Sequence, residues 1–498
     1  MPATVDVLIR GGEVFDGSGN QSVRADVAIE ADRIAEIGSL DSRSGHVEID
    51  AHGFALAPGF IDVHTHDDFA ALTHRDMGFK SRGGVTTCIV GNCGFGAAPF
   101  SAATEMLSTL TPGLEIPQYE GHAGYADLLD HQPPGINIGV LAGHGTFRKA
   151  VTGNDDREPT DVEMKSMKLL LDEALEAGVL GLSSGLIYEP GRYAKTSELV
   201  ELASQMRGTG AIYATHMRDE AEQLLDSVRE AISIGAQAGV SVQISHHKAS
   251  GRGNWGLVKD SIKLIEAAQG RGENVHADQY PYTAGSTNLI AVLQNGVFRE
   301  GAAGGFSDLL PDDMLIATSP DHSEWEGRTI ADLSADFNLS PLDTCNRIVA
   351  ASPSTTVVLH MMSEEDVQFV LQHPSTMVGS DGIPALDGRP HPRLYNSFAR
   401  VIGHYARDLE LFDIATAIHR MTGLSADKFG LTNRGRIAAG NFADLVLFDP
   451  KVILDKGTYD EPNQYPVGIR DVFVNGIAAV SQYQLTDNLA GRVLRREH

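Results

Sequence analysis

The chain has 498 residues, which leaves room for one large domain together with a smaller one. Its formal net charge of −27 argues against a nucleic-acid partner and against anionic membrane surfaces, because both bind basic faces of proteins. Only three cysteines occur, so we expect no disulfide framework, and this scarcity suits a reducing compartment.

Short strands are predicted at both ends of the chain. Apolar residues alternate or cluster there between turns formed by Gly, Asp and Asn. The predicted strands cover residues 5–10, 25–29, 33–37, 445–448, 469–474 and 478–480. Because chain termini often lie close together, we expect residues 1–57 and 435–498 to form one small β domain.

The sequence contains no signal that predicts targeting or membrane insertion. The first residues lack a basic region followed by a long apolar stretch, so no signal peptide is expected. No run of about 18 uncharged apolar residues occurs, so no membrane span is expected either. The simplest expectation is a cytoplasmic protein without a membrane partner.

Between residues 58 and 434, short apolar strands alternate with helical patterns. The predicted strands cover residues 60–64, 86–90, 136–142, 179–183, 212–216, 241–246, 275–280 and 377–381. The predicted helices cover residues 161–177, 196–207, 220–238, 257–269, 364–373 and 411–420. Eight strands with interleaved helices predict an α/β fold, a (β/α)₈ barrel.

A long segment, from residue 286 to about residue 340, separates the last two predicted strands. It includes a Gly-rich run at 301–305 and an acidic stretch, Pro311–Asp313. A structureless loop of this length is unusual in a compact domain, so we expect an inserted subdomain or a lid over the barrel mouth. The alternative is a disordered surface insertion.

Metal-ligating side chains gather at the predicted carboxyl ends of the barrel strands. His64 and His66 would share one face where the first strand stops, because side chains alternate along a strand. Barrel enzymes keep their chemistry at this end of the barrel. Further candidates follow later strands: Cys93, His144, His216, His246 and Asp381.

The donor types predict a zinc site. One thiolate and two neutral imidazoles leave a fourth position open, as in catalytic zinc sites, and we assign these ligands to Cys93, His216 and His246. His64, His66 and Asp381 would form a second, weaker site or flank the first.

Two further roles are assigned near this cluster. Asp381 is predicted to take a proton from metal-bound water and to pass it to a leaving amine. Cations and hydroxyls near the mouth would bind a substrate carboxylate. The favoured set for this clamp is Lys248, Tyr280, Ser286 and Arg393. The role of His144 stays open.

These motifs together resemble the amidohydrolase superfamily, and within it the D-aminoacylase (N-acyl-D-amino-acid deacylase) branch. The resemblance covers nearly the whole chain. It rests on Pro-Gly-Phe-Ile-Asp-Val-His-Thr-His at 58–66, Gly-Asn-Cys-Gly at 91–94, Ser-Ser-Gly-Leu-Ile-Tyr at 183–188, Thr-His-Met-Arg at 215–218, Ile-Ser-His-His-Lys at 244–248, Ser-Asp-Gly at 380–382, Gly-Arg-Ile at 435–437 and Gly-Asn-Phe-Ala-Asp-Leu-Val at 440–446.

The resemblance implies a distorted (β/α)₈ barrel, a β-sandwich built from both termini, and one tightly held Zn²⁺. It implies the metal ligands, the acid/base and the clamp already assigned. Residues 385–388 look longer than the family pattern, so Arg389 competes with Arg393 for the clamp. Related cyclic-amide hydrolases commonly bridge two metals with a lysine from strand four, and this chain offers none there.

The leading hypothesis is therefore zinc-dependent hydrolysis of N-acyl-D-amino acids to a carboxylate and a free D-amino acid. One alternative is a hydrolase of another amide, such as a D-dipeptide or a cyclic imide. The other is a metal-binding barrel protein without turnover. The preferred side chain and the oligomeric state are not predicted.

Overall fold

Eight parallel strands form the centre of the fold. In the computed structural model, which describes residues 4–299, 306 and 308–496, they pair in chain order. They are β1 (Phe60–Asp62), β2 (Val85–Val90), β3 (Asn137–Gly143), β4 (Gly181–Gly185), β5 (Ile212–His216), β6 (Ser241–Ile244), β7 (Val275–Gln279) and β8 (Thr376–Val378). Just beyond the strand ends, Thr65 pairs with Gly382, which joins the first strand to the last. The predicted (β/α)₈ barrel is confirmed.

Helices cover the outside of the barrel, and three of them, Leu289–Gln294, Ile330–Phe337 and Pro341–Ala351, belong to the inserted segment. They are Ala70–Thr73, Gly78–Ser81, Phe100–Leu107, Gly121–His131, His144–Thr152, Asp161–Glu176, Thr196–Ala203, Leu224–Ala238, Val258–Gly270, Leu289–Gln294, Ile330–Phe337, Pro341–Ala351, Glu364–Gln372, Arg393–Arg400, Ile414–Met421 and Gly423–Phe429, with a π-helix at Val401–Asp408. Each of the six predicted helices is present. The helix predicted to start at residue 220 starts at Leu224, so Glu220 lies in the preceding loop. No helix among the described residues combines the length and apolar character needed to cross a membrane.

Alternation along the strands separates the barrel interior from the layer under the helices. One apolar cluster lies in the barrel interior and contains Ile61, Ile89, Leu141, Ile212 and Met377 from five strands, together with Leu180, which directly precedes β4. Strand neighbours such as Phe60 and Cys88 belong to a second, larger cluster that includes the helices. This pattern follows from the two-residue period of a strand.

Both ends of the chain build one mixed sheet. Its strands, in spatial order, are Gln484–Leu485, Ile477–Ser481, Ile469–Val474, Leu445–Phe448, Ala55–Pro58, Thr4–Val14, Val23–Glu30 and Arg33–Gly38, with Ser44–Asp50 paired to Thr4–Val14. A final short strand, Val493–Leu494, pairs with β3. The expected small β domain from both termini is confirmed, and its boundaries at residues 57 and 435 stay a prediction.

The described part of the segment between β7 and β8 is folded. It contains an antiparallel sheet in the order Ala284–Asn288, Thr356–His360 and Met314–Thr318. Its apolar side chains form their own cluster, which includes Leu289, Trp325 and Leu359. The Gly-rich run at 301–305 lies outside the described residues. Whether the segment acts as a lid stays a prediction.

Candidate metal and substrate site

Three residues of the site lie just after barrel strands and have positive backbone φ angles. Cys93, His246 and Asp381 have φ values of 54°, 34° and 50°, in the left-handed region that side-chain-bearing residues seldom adopt. The sequence placed His246 and Asp381 on strands, but β6 ends at Ile244 and β8 at Val378. Such strain persists where surrounding structure holds it, and it is concentrated at functional sites.

Cys93 lies at the centre of a buried cluster of imidazoles. Its Sγ is 3.3 Å from His64 Nε2, 3.5 Å from His246 Nε2 and 3.8 Å from His216 Nδ1. His66 lies beside His64, with ring centroids 5.7 Å apart. The structure therefore brings together all five residues predicted as metal ligands, and it places His64 as close to Cys93 as the other two histidines.

These separations fit a tetrahedral zinc site. Zinc–sulfur and zinc–nitrogen bonds of usual length, at a tetrahedral angle, put the sulfur about 3.6 Å from each nitrogen. The three sulfur–nitrogen distances of 3.3–3.8 Å lie near that value, and the ligand atoms of Cys93, His64 and His246 all lie within 4.8 Å of one another. The donor set of one thiolate and several imidazoles also suits zinc better than magnesium or calcium, which prefer oxygen.

Asp381 lies between the histidines and a buried arginine. Its Oδ1 is 3.2 Å from His66 Nε2 and 3.4 Å from His64 Nε2, and its Oδ2 is 2.9 Å from Arg393 Nη2. His64, His66 and Asp381 form a second group of closely spaced ligand atoms. This group shares His64 with the group around Cys93, so the two candidate metal positions adjoin.

The surroundings favour the ionised forms of the two acids. Burial alone would raise the pKa of Cys93, but the imidazoles of His64, His216 and His246 lower it well below its usual range. Burial would also raise the pKa of Asp381, but Arg393, His64 and His66 hold it well below its usual range. A thiolate suits a metal ligand, and a carboxylate suits a general base.

Two buried carboxylates near the histidines received no role in the sequence-based site. Glu220 Oε1 is 2.9 Å from His246 Nδ1. Asp278, at the end of β7, is 3.3 Å from His64 Nδ1 and accepts a 2.7 Å hydrogen bond from the backbone of His246. Asp278 gave a signal in the sequence, because it lies at a strand end, whereas Glu220 gave none, because it was predicted to lie within a helix.

The residues of the predicted carboxylate clamp lie near the Tyr280 ring. The Arg393 guanidinium lies over the Tyr280 ring, with its carbon 4.5 Å from the ring centroid, and its Nη2 donates to the Ser286 carbonyl. Arg393 Nε and Nη1 are buried and have no hydrogen-bond partner. Lys248 Nζ lies 5.8 Å from the centroid of the same ring, and it is 2.7 Å from Glu220 and 2.8 Å from His246 Nδ1.

Arg389 lies away from this group. Its guanidinium donates to the backbone carbonyl of Asp460. Of the two arginines that the sequence left in competition, the structure brings Arg393 to Asp381. His144, whose role the sequence left open, is buried and its Nε2 is 2.8 Å from Glu198, which also binds Arg148.

A second ion network lies beneath the site and joins β1 to β8. The buried Lys80 ammonium donates to Asp62 and to Ser380 Oγ, each at 2.8 Å, and lies 3.2 Å from Asp67. The backbone N–H of Ser380 also donates to Asp62. Because Asp62 precedes His64 and Ser380 precedes Asp381, this network supports residues on both sides of the site.

Comparison with known proteins gives consistent matches over the whole chain. A profile of the amidohydrolase family matches residues 47–294 and 331–478. A D-aminoacylase from Alcaligenes xylosoxydans xylosoxydans is 41% identical over 99% of this chain and 98% of its own length. A solved D-aminoacylase, studied for its binuclear metal centre with one-metal activation and second-metal attenuation, superposes with a TM-score of 0.88 at 38% identity, covering 99% of this chain and 100% of that one.

A second solved structure carries a ligand. It is an N-acyl-D-glutamate deacylase from Bordetella bronchiseptica, complexed with zinc and with a phosphonate inhibitor that mimics the tetrahedral intermediate of its reaction. It superposes with a TM-score of 0.89 at 36% identity, covering 99% of this chain and 100% of that chain.

Proposed function

Because this chain belongs to the amidohydrolase family, we propose that it is a zinc-dependent hydrolase that converts N-acyl-D-amino acids to a carboxylate and a free D-amino acid. The observation that carries this proposal is the convergence of Cys93, four histidines and the Asp381–Arg393 pair at one end of the barrel. Relatives that are 36–41% identical along their whole length act on N-acyl-D-amino acids by name.

The metal would be held by residues already close together. Cys93, His216 and His246 would hold the tight zinc, and His64, His66 and Asp381 would form a weaker second position. Zinc bound there would polarise the acyl carbonyl and lower the pKa of a water molecule.

Asp381 is the residue that moves protons. Its ionised carboxylate would accept a proton from the attacking water at Oδ1, and it would later deliver that proton to the nitrogen of the leaving amine. The contact with Arg393 keeps the carboxylate charged and fixes its orientation. One water molecule is consumed, and the amide bond gives one carboxylate and one amine.

Arg393 would also select the substrate. Its two unpaired, buried donors, Nε and Nη1, suit a substrate carboxylate, because a guanidinium binds carboxylates through paired hydrogen bonds. The α-carboxylate would be fixed at Arg393 and the acyl carbonyl at the metal. The D and L enantiomers would then differ in the direction in which the side chain leaves the α-carbon. This three-point arrangement is the proposed basis of selectivity for the D enantiomer.

The composition of β4 favours linear over cyclic amides. The strand runs Gly-Leu-Ser-Ser-Gly at 181–185 and contains no lysine that could become a carbamylated bridge between two metals. Cys93, on the loop after β2, takes the central place among the imidazoles instead. This donor set supports the deacylase proposal over hydrolysis of a cyclic imide.

The test of this mechanism is Asp381→Asn. We expect the variant to fold and to bind zinc at Cys93 but to lose turnover by at least about 100-fold, the usual contribution of a general acid–base group. Steady-state release of amine and zinc content by atomic absorption are the two readouts. Asp387→Asn, in the exposed part of the same loop, is the matched control and should keep wild-type activity. Full activity of Asp381→Asn would refute the assigned role.

A further inference from the structure

Glu220 is a buried carboxylate that no step of the proposed reaction uses. It lies in the loop between β5 and the helix Leu224–Ala238, and only 5% of its surface is exposed. The loop is anchored because the Ser250 N–H donates a 2.7 Å hydrogen bond to the Glu220 carbonyl. A buried carboxylate needs compensating partners, and here those partners belong to the metal site.

The Glu220 carboxylate faces both histidines of the tight zinc position. Its Oε1 is 2.9 Å from His246 Nδ1, and its Oε2 is 3.7 Å from His216 Nε2. The opposite nitrogens of these rings, His246 Nε2 and His216 Nδ1, face Cys93. One carboxylate therefore lies behind two imidazoles, on the side away from the proposed metal.

The same oxygens could in principle bind a metal of their own, together with His216 and His246. Lys248 excludes this, because its ammonium already lies 2.7 Å from Glu220 and 2.8 Å from His246 Nδ1. A positive charge fills the space between these groups, and a second cation there would be repelled at short range.

We propose that Glu220 is a positioning residue that holds His246 in the orientation that the zinc requires, while its charge lies behind His216, beyond hydrogen-bond distance of Nε2. A carboxylate behind a metal-binding imidazole accepts its remaining N–H, fixes the ring and strengthens the ring nitrogen as a ligand. Glu220 also holds Lys248, so one side chain links the metal position to a residue of the predicted carboxylate clamp. This inference rests on the metal site of the proposed function.

The test is the zinc affinity of Glu220→Gln, measured by competition with a chromophoric chelator. Loss of such a carboxylate commonly weakens metal binding 10–100-fold, so we expect a loss in about that range. The second readout is the absorption spectrum of the cobalt-substituted protein, because the thiolate and ligand-field bands report the geometry around Cys93 and the histidines. We expect these bands to shift in Glu220→Gln. Glu220→Asp, which keeps the charge, should weaken zinc binding less.

Glu198→Gln is the matched control. Glu198 is equally buried, with 5% exposed, and it also pairs with a histidine and a cation, but it lies outside the metal cluster. Its zinc affinity and cobalt spectrum should match the wild type. Wild-type zinc affinity in Glu220→Gln would overturn the proposal, and so would an equal loss in both glutamine variants.

The two proposals can fail separately. If Glu220→Gln does not fold, Glu220→Asp decides the matter, since zinc affinity equal to that of the wild type would then overturn the inference. A wild-type protein that binds zinc tightly but hydrolyses no N-acyl amino acid would refute the proposed function and leave the role of Glu220 intact.

Discussion

At the scale of single residues, the guanidinium of Arg393 has one group that contacts the protein and two donors that are free to bind a substrate. Its Nη2 lies 2.9 Å from Asp381 Oδ2 and donates to the Ser286 carbonyl, while its Nε and Nη1 are buried without a partner. A buried donor without a partner carries a free-energy penalty of about 1–3 kcal/mol. A substrate carboxylate would relieve that penalty, which makes Arg393 the strongest candidate in the predicted clamp.

Arg393→Met tests this assignment against Arg389. Loss of a hydrogen bond to a charged group costs about 1.5–3 kcal/mol, so kcat/KM for N-acetyl-D-amino acids should fall about 10- to 150-fold. Arg389→Met, which removes a contact to the Asp460 carbonyl, should change kcat/KM by less than about threefold. Steady-state kinetics on both variants checks this. A larger loss in Arg389→Met would transfer the clamp to Arg389.

At this scale, the sequence predicted which residue types would bind the metal, but it did not predict the backbone conformation of those residues. Cysteine, histidine and aspartate at predicted strand ends pointed to one metal cluster, because these residue types bind metals wherever strands converge. The positive φ values of Cys93, His246 and Asp381 have no such signature, since non-glycine residues reach this region only under tertiary constraint. Glu220 was hidden for a similar reason, because it was predicted to lie within a helix.

At the scale of elements, the join between β1 and β8 is supported by ions. Lys80 donates to Asp62, the last residue of β1, and to Ser380, just after β8. Asp67 lies 3.2 Å from the same ammonium. All of these side chains are buried, so the network combines charges that would each be costly to bury alone.

Lys80→Met should therefore destabilise the barrel strongly. It would leave Asp62 and Asp67 buried without their cation, and breaking a buried ion pair in this way costs about 3–5 kcal/mol. The free energy of unfolding in urea, followed by circular dichroism, is the readout. Lys263→Met, which breaks an exposed pair with Asp260, should cost less than about 1 kcal/mol. Equal stability of the two variants would contradict a structural role for the Lys80 network.

The element pattern itself was predictable because its causes are local. Apolar runs of strand length alternating with amphipathic segments predicted all eight strands and six helices. Strand ends were less predictable, because β1, β6 and β8 stop two or three residues before their predicted ends. There the backbone turns toward the site, and contacts that are distant in sequence decide where the strand ends.

At the scale of the whole molecule, the inserted segment contributes to the site. Its first strand, Ala284–Asn288, carries the Ser286 carbonyl that accepts from Arg393. The hydroxyl groups of Thr287 and Tyr188 are 3.3 Å apart, and the Tyr188 ring lies 4.9 Å from that of His216. Sequence could place the insertion between β7 and β8, but its sheet depends on pairings that are distant in sequence, such as Ala284 with His360.

The small sheet from both termini is tied to the barrel by a polar network. Asn137, at the start of β3, donates to Asp444 and accepts from Asn475. Arg434 joins this network through contacts with Asp444 and Asn475. The barrel, the insertion and the terminal sheet thus form one connected structure in which the β2 and β8 loops hold Cys93 and Asp381 close together.

The most direct measurement of the central claim is amine release by the zinc-loaded protein from matched N-acetyl-D and N-acetyl-L amino acids, with apolar and acidic side chains. We predict hydrolysis of the D substrates with kcat/KM at least about 100-fold above their L counterparts, which corresponds to about 2.7 kcal/mol of discrimination. Equal hydrolysis of both enantiomers, or of neither by a protein that contains zinc, would contradict the proposed function.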